Sequence, residues 1–359
     1  MEAAISHWAP RFVANGVPLT DFQEVTAGVE RWEDWCSAWS ARAAVHEELG
    51  VQALAEGSAL SAGAHFTRAA VCYHFGKFLF VNDLAQMQQA HRKAVECRNR
   101  ALPLLRPPGE RVAIPYEGKH LYGNLRRPTA TPSNGATPSN GSKPPVVVMC
   151  MGLDSAKEEM DDYENRFLER GVATLAFDGP GQGEGEYDFS LCPEYEKPVK
   201  AVIDFLQTRS DVDVSRIGIW GVSLGGYFAP RAAAFEQRIK ACVALSGAYQ
   251  RSGNFDGRPI INVEAFRVRS GSADLEQAGK VALRMSLKGI AKNITCPIYI
   301  VAGTKDRLTP SSEAHKLAAE VSGPCVLSVI EGGNHVVNNL WYRYRDQTAD
   351  WMARQLGAG

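Results

Sequence analysis

The sequence predicts an α/β fold, a mostly parallel sheet flanked by helices, preceded by a helical N-terminal domain. From Val146 onward, short apolar runs alternate with longer amphipathic stretches, as in consecutive strand–helix–strand units. The apolar runs are continuous rather than alternating, which is expected of strands covered on both faces. Before about Leu105, apolar residues instead recur at three- and four-residue spacing, the period of packed helices. The 359 residues suffice for one large domain and a smaller one, and 45% apolar content suits a packed core.

Taken in order, the helical region includes the alanine- and aromatic-rich run His65–Val81 and the stretch Leu84–Leu105. No self-similar period marks it as a helical repeat array. Arg106-Pro-Pro-Gly109 stops it, because proline cannot continue a helix. This divides the chain into a helical domain, 1–108, and a sheet domain, 109–359. Arg111–Pro115 and His120–Leu125 are short strand candidates. In the next stretch the hexapeptide Ala-Thr-Pro-Ser-Asn-Gly occurs twice in tandem, at 130–135 and 136–141. Residues 129–145 offer almost no apolar area and are expected to form a mobile surface loop. Strands are then predicted at Val146–Cys150, Ala173–Phe177, Ile217–Trp220, Cys242–Leu245, Ile298–Ala302 and Cys325–Ile330. Helices are predicted at Lys157–Arg170, Glu194–Thr208, Leu224–Glu236, Ser311–Val321 and Leu340–Leu356. The segment 248–292 is expected to be a short cap.

Charge and composition exclude several functions. A net charge of −1, from 39 basic and 40 acidic side chains, argues against a nucleic-acid partner. The apolar runs fall well short of the roughly 18 residues that a membrane helix needs. Met1–Pro10 lacks the basic and apolar regions of a signal peptide, so a cytoplasmic protein is expected. The 8 cysteines form no Cys-x-x-Cys pair and several sit in apolar runs, so they read as free buried thiols. The 8 histidines show no metal-ligand spacing, and neither a metal nor a cofactor is expected.

The chemistry centres on Gly221-Val-Ser-Leu-Gly-Gly226, between a predicted strand and a helical run. On such a turn a serine is forced outward above the sheet edge, and the glycines permit both the turn and close helix packing. A serine hydroxyl is a weak nucleophile and needs a base that is oriented by an acid. Asp306 follows the strand Ile298–Ala302 and His335 follows Cys325–Ile330, so both fall at the same sheet edge as Ser223. A glycine-rich turn, a helix-capping aspartate and a loop histidine would account for each residue singly, but not for their order. His315 is the only other histidine after position 120, and it lies in a helical run. The backbone N–H groups of Leu224 and Leu153 are the expected oxyanion donors, Leu153 being preferred to Gly152. Phe177–Gly185 is glycine-rich after a strand, yet it contains neither Gly-x-Gly-x-x-Gly nor a phosphate loop, so it reads as a structural turn.

This serine turn, with Asp306 and His335, resembles the α/β-hydrolase superfamily. The stretches His74–Phe80, Lys93–Cys97, Ala101–Arg111, Gly152–Glu159 and Phe177–Glu184 are similar to the 2,6-dihydroxypseudooxynicotine hydrolases of bacterial nicotine breakdown. Fungal polyketide-shortening hydrolases look like more distant relatives. The resemblance runs from about Trp32 to Trp351. It implies an N-terminal helical cap over the active site, a homodimer, and a triad that hydrolyses a carbon–carbon bond next to a ketone. The substrate would be a small aryl ketone or a β-dicarbonyl, polyketide-like molecule. His74, Phe75, Lys77 and Phe78 would then supply a wall of the pocket; the alternative is that these aromatics are interhelix core. The resemblance also implies an acidic pocket residue after the sixth strand, for which Asp256 and Glu264 are both candidates. The chain departs from the family at 124–145 and at 247–257. A carboxylesterase or amidase with the same triad is the alternative function, and a non-enzymatic helical scaffold with a vestigial hydrolase domain is a further one.

Overall fold

The computed structural model describes residues 2–129 and 143–358, with side chains from residue 7 onward. The duplicated hexapeptide, on which the expectation of a surface loop rests, lies outside the described residues. The chain forms two compact units, Met1–Arg111 with Ala156–Asp162, and Val112–Ser155 with Tyr163–Gly359.

The first unit is built from helices α1 (Glu2–Ala14), α2 (Leu19–Ala27), α3 (Trp35–Ala55), α4 (Ala59–Lys77) and α5 (Leu84–Ala101). The Asp83 carboxylate caps α5 by accepting from the Gln86 N–H at 3.0 Å. Aromatic rings fill its centre. Phe12 stacks on Phe75 with centroids 3.7 Å apart, and Phe78 meets both Phe12 and Trp8 edge-on. The segment Ala156–Asp162 brings a run of charges into this unit, where they pair with the helices and with one another. Arg11 binds Glu159 through Nε and Nη2, each at 2.7 Å. His74 Nε2 lies 3.1 Å from the Glu159 carboxylate, Lys157 pairs with Glu158 at 2.8 Å, and Arg98 pairs with Asp161 at 2.8 Å. A single helix over Lys157–Arg170 is therefore replaced by one tight turn, Lys157–Glu159, and a shorter helix α6 (Asp161–Leu168).

The second unit carries an eight-stranded sheet. Its strands are β1 (Gly109–Tyr116), β2 (Lys119–Arg126), β3 (Pro145–Cys150), β4 (Ala173–Asp178), β5 (Asp213–Val222), β6 (Ile239–Leu245), β7 (Ile298–Gly303) and β8 (Cys325–Ile330). The spatial order is β1-β2-β4-β3-β5-β6-β7-β8; β2 and β4 are antiparallel, and β3 to β8 run parallel with β4. Helices α7 (Glu196–Gln207), α8 (Gly225–Phe235), α9 (Ile260–Arg269), α10 (Leu275–Arg284), α11 (Ser311–Glu320) and α12 (Arg345–Gln355) complete it. Strand alternation divides the core. Ile217 and Ile219 join Val146, Val148 and the α7 and α8 residues Val202, Ile203, Phe228 and Ala232 on one face. Gly218 and Trp220 point the other way, toward Met352 of α12 and Tyr163 of α6 respectively.

Two expectations are corrected here. The helix expected from Leu340 begins only at Arg345, because His335–Arg343 forms an irregular turn in which Val336 and Val337 adopt φ of 62° and 54°. Eight free thiols are present, but Cys325 is exposed, because it opens the edge strand β8.

Candidate active site

Parallel strands deliver their following loops to one edge, and the loops after β5, β7 and β8 carry Ser223, Asp306 and His335. The turn from β5 into α8 is too tight for side chains at its glycines: a Cβ on Gly221 would strike the Gly225 carbonyl, and one on Gly225 the Cys150 carbonyl. Ser223 itself is held at φ 56°, in the left-handed region that non-glycine residues avoid. Its N–H donates to the Leu245 carbonyl at 2.8 Å, and its carbonyl accepts from Gly226 at 2.9 Å. The hydroxyl is thereby set at the start of α8, facing His335.

His335 Nε2 lies 2.8 Å from Ser223 Oγ. On its other side, His335 Nδ1 lies 2.8 and 3.0 Å from the two carboxylate oxygens of Asp306. A carboxylate only accepts, so Nδ1 carries the ring proton and Nε2 is left as an acceptor toward the hydroxyl. Asp306 also accepts from the N–H groups of Leu308 at 2.9 Å and Thr309 at 2.8 Å. Burial alone would raise the Asp306 pKa. His335 and these two N–H groups outweigh it and hold the carboxyl below its ordinary value, so it is ionised at neutral pH. Ser246, at φ 48°, braces the histidine loop: its N–H donates to the Val301 carbonyl and its hydroxyl accepts from the Val336 N–H at 3.0 Å.

The loop after β3 lies against the nucleophile, since a Cβ on Gly152 would come within 3.3 Å of Ser223 Cβ. Two buried side chains hold it. Gln182 Nε2 donates to the carbonyls of Met151 and Gly152 at 2.6 and 2.7 Å, while its Oε1 accepts from Tyr195. Arg269 Nη1 donates to the Leu153 carbonyl. In a trans peptide the N–H points opposite to the preceding carbonyl, so fixing the Gly152 carbonyl also fixes the direction of the Leu153 N–H. The N–H groups of Leu153 and Leu224 make no hydrogen bond among the described residues.

The other residues singled out from the sequence have these surroundings. Phe75 and Phe78 have no exposed surface and belong to the aromatic core of the first unit, which accounts for their burial by packing. His74 is engaged with Glu159, and Lys77 is fully buried close enough to lower the pKa of His91. Asp256 is exposed and binds the Asn254 amide, while Glu264 pairs with Arg267 at 2.9 Å. Sequence reasoning missed Gln182, Ser246, Arg269 and Arg258, which reach the site only through long-range contacts. For Gln182 the glycine-rich run Gly179–Gly185 was the available signal.

A family model described as "Esterase FrsA-like" matches residues 21–357. The chain belongs to the FrsA-like esterase family. This FrsA-like chain is 32% identical to 2,6-dihydropseudooxynicotine hydrolase of Paenarthrobacter nicotinovorans, over all of its own length and 94% of the relative's. A solved structure of 2,6-dihydroxy-pseudo-oxynicotine hydrolase superposes with a TM-score of 0.87 at 31% identity, covering 98% of this chain and 96% of that one. Hydrolase acrC of Aspergillus aculeatus is 32% identical over 60% of this chain and 54% of its own length. The protein is thus an α/β hydrolase, with a mostly parallel sheet and a helical N-terminal region. None of its described helices is long and apolar enough to cross a membrane.

Proposed function

We propose that this FrsA-like enzyme is a serine hydrolase that cleaves a carbon–carbon bond next to a ketone in an aryl ketone or β-dicarbonyl substrate. The observation that carries this reading is the likeness, over the full chain and including the helical region, to a 2,6-dihydropseudooxynicotine hydrolase. The 2.8 Å contact from Ser223 Oγ to His335 Nε2 supports the roles that follow. His335 takes the Ser223 proton as Oγ attacks the ketone carbon. Asp306 keeps the imidazole in its working tautomer and stabilises the imidazolium. The Leu224 and Leu153 N–H groups receive the oxyanion. The tetrahedral intermediate collapses with the electron pair of the carbon–carbon bond passing to the leaving carbon, which His335 protonates. Water, deprotonated by His335, then releases the carboxylic acid from Ser223. The resemblance that implies this chemistry also implies a homodimer, which sedimentation of the purified protein tests.

The family description favours a second reading, ester hydrolysis by the same residues. A matched pair separates the two: an aryl 1,3-diketone and the phenyl ester of the same acyl group. Carbon–carbon hydrolysis predicts acid release from the diketone by wild type and not by Ser223→Ala. Rapid turnover of the ester with an inert diketone would establish the esterase instead.

A further inference from the structure

The segment between β6 and β7 buries a cation that the proposed reaction does not use. Arg251 is 9% exposed, and its Nε finds no hydrogen-bond partner among the described residues. Its guanidinium lies over the face of Phe266, 4.9 Å from the ring centre. The acids nearby are directed elsewhere: Asp256 to Asn254, Glu264 to Arg267, and Glu313 to the Gln250 N–H and Lys316. Burial, and then the neighbouring Arg258, push the Arg251 pKa down to about 9, so it remains charged at neutral pH. A buried charge without a counter-ion costs stability. Its retention calls for a reason.

Its position supplies one. Arg258 Nη2 donates to the Leu308 carbonyl at 3.0 Å, and the Leu308 N–H donates to Asp306. Phe266 lies one helical turn before Arg269, whose guanidinium holds the Leu153 carbonyl. Arg251 thus neighbours Arg258, which is tied to the acid loop, and stacks on Phe266, in the helix whose Arg269 is tied to the loop beside Ser223.

We propose that Arg251, seconded by Arg258, binds a carboxylate of the substrate beside the Ser223 site. The planar guanidinium fork matches the two carboxylate oxygens, and the Phe266 face holds it in orientation. This deepens the proposed function, on which it rests, by making the substrate a keto acid rather than a neutral ketone.

Benzoate serves as the probe, with binding to the full-length protein followed by calorimetry. Benzoate should bind wild type, and Arg251→Met should weaken it by at least about tenfold, the scale of a lost charge-assisted hydrogen bond. Arg251→Lys, which keeps the charge but loses the fork, should fall between them and covers the case in which the methionine variant does not fold. Equal benzoate binding by wild type and the folded variants, or none by wild type, overturns the proposal. Turnover supplies the second arm. The preference for mono-(4-nitrophenyl) glutarate over neutral 4-nitrophenyl butyrate should drop about tenfold in Arg251→Met. An unchanged ratio with both esters cleaved sinks the subsite and leaves the hydrolase reading standing. Arg251-dependent benzoate binding in a protein whose Ser223 takes no fluorophosphonate does the reverse.

Discussion

In the helical unit, charged groups are buried in contact with one another; in the sheet unit, the groups that matter gather where strands end. Glu159 illustrates the first arrangement. It is 2% exposed, and its carboxylate is engaged by Arg11, Asn15 and His74 together. Ser223, Ser246, Val336 and Val337 illustrate the second. They sit at positive φ on loops pinned to a rigid sheet, and Ser223 Oγ faces His335. A satisfied network holds a fold together, whereas strained loops on a stiff scaffold hold reactive groups in place. Mutations in the two regions should therefore fail differently, one in stability and the other in turnover.

The largest effect is expected at the sheet edge. Ser223→Ala should lower kcat by about four orders of magnitude or more while the urea midpoint stays near that of wild type. Retention of more than about a hundredth of the activity would remove Ser223 from the mechanism. In the helical unit, Glu159→Ala leaves Arg11 and His74 facing an empty place. It should cost about 3–5 kcal/mol of stability by urea unfolding. A variant as stable as wild type would show that this network is ornamental. Gln182→Leu sharpens the contrast, because it is a buried polar change in the sheet unit that should act on rate. With the Gly152–Leu153 peptide no longer held, kcat should fall roughly 10–100-fold with KM changing little. Equal loss in KM and stability would make Gln182 a packing residue instead.

The smallest effect is a pH dependence. Burial keeps His91 neutral and lowers its pKa to about 4, while Lys157 keeps the adjacent Glu158 ionised. The unfolded chain, with an ordinary histidine near pKa 6.5, takes up its proton first as pH falls. Stability should therefore decline between about pH 6.5 and 4, by on the order of 2 kcal/mol at pH 5. His91→Gln should flatten that slope. The depressed carboxyls of Glu159 and Asp306 act in the same direction at lower pH, keeping their stabilisation above the ordinary carboxyl range and losing it as pH falls below that range.

The same contrast explains what was legible in the sequence. Strands covered on both faces announce themselves as continuous apolar runs, and the fully buried β3 and β4 contain the predicted residues Val146–Cys150 and Ala173–Phe177. The serine, acid and histidine positions followed because each comes after such a strand. The irregular turn after His335 did not, because its geometry depends on Ser246, distant in sequence. Helices α9 and α10 show in the sequence only as part of a short cap, their ten residues each being too brief for a clear period. Aromatic composition alone does not tell a pocket lining from a core; within the helical unit Phe12 stacks on Phe75 and meets Phe78 edge-on. Gln182 holds its partners across 30 and 31 residues of chain, which no local pattern encodes.

The central claim is that Ser223 attacks a ketone carbon. Rapid-quench mixing with an aryl 1,3-diketone, followed by peptide mass spectrometry, tests it directly. The account predicts an acyl ester on Ser223 in wild type that decays as the carboxylic acid appears, and no adduct in Ser223→Ala. Release of the acid with no acyl-Ser223 at any quench time, or with the acyl group on another residue, would contradict it.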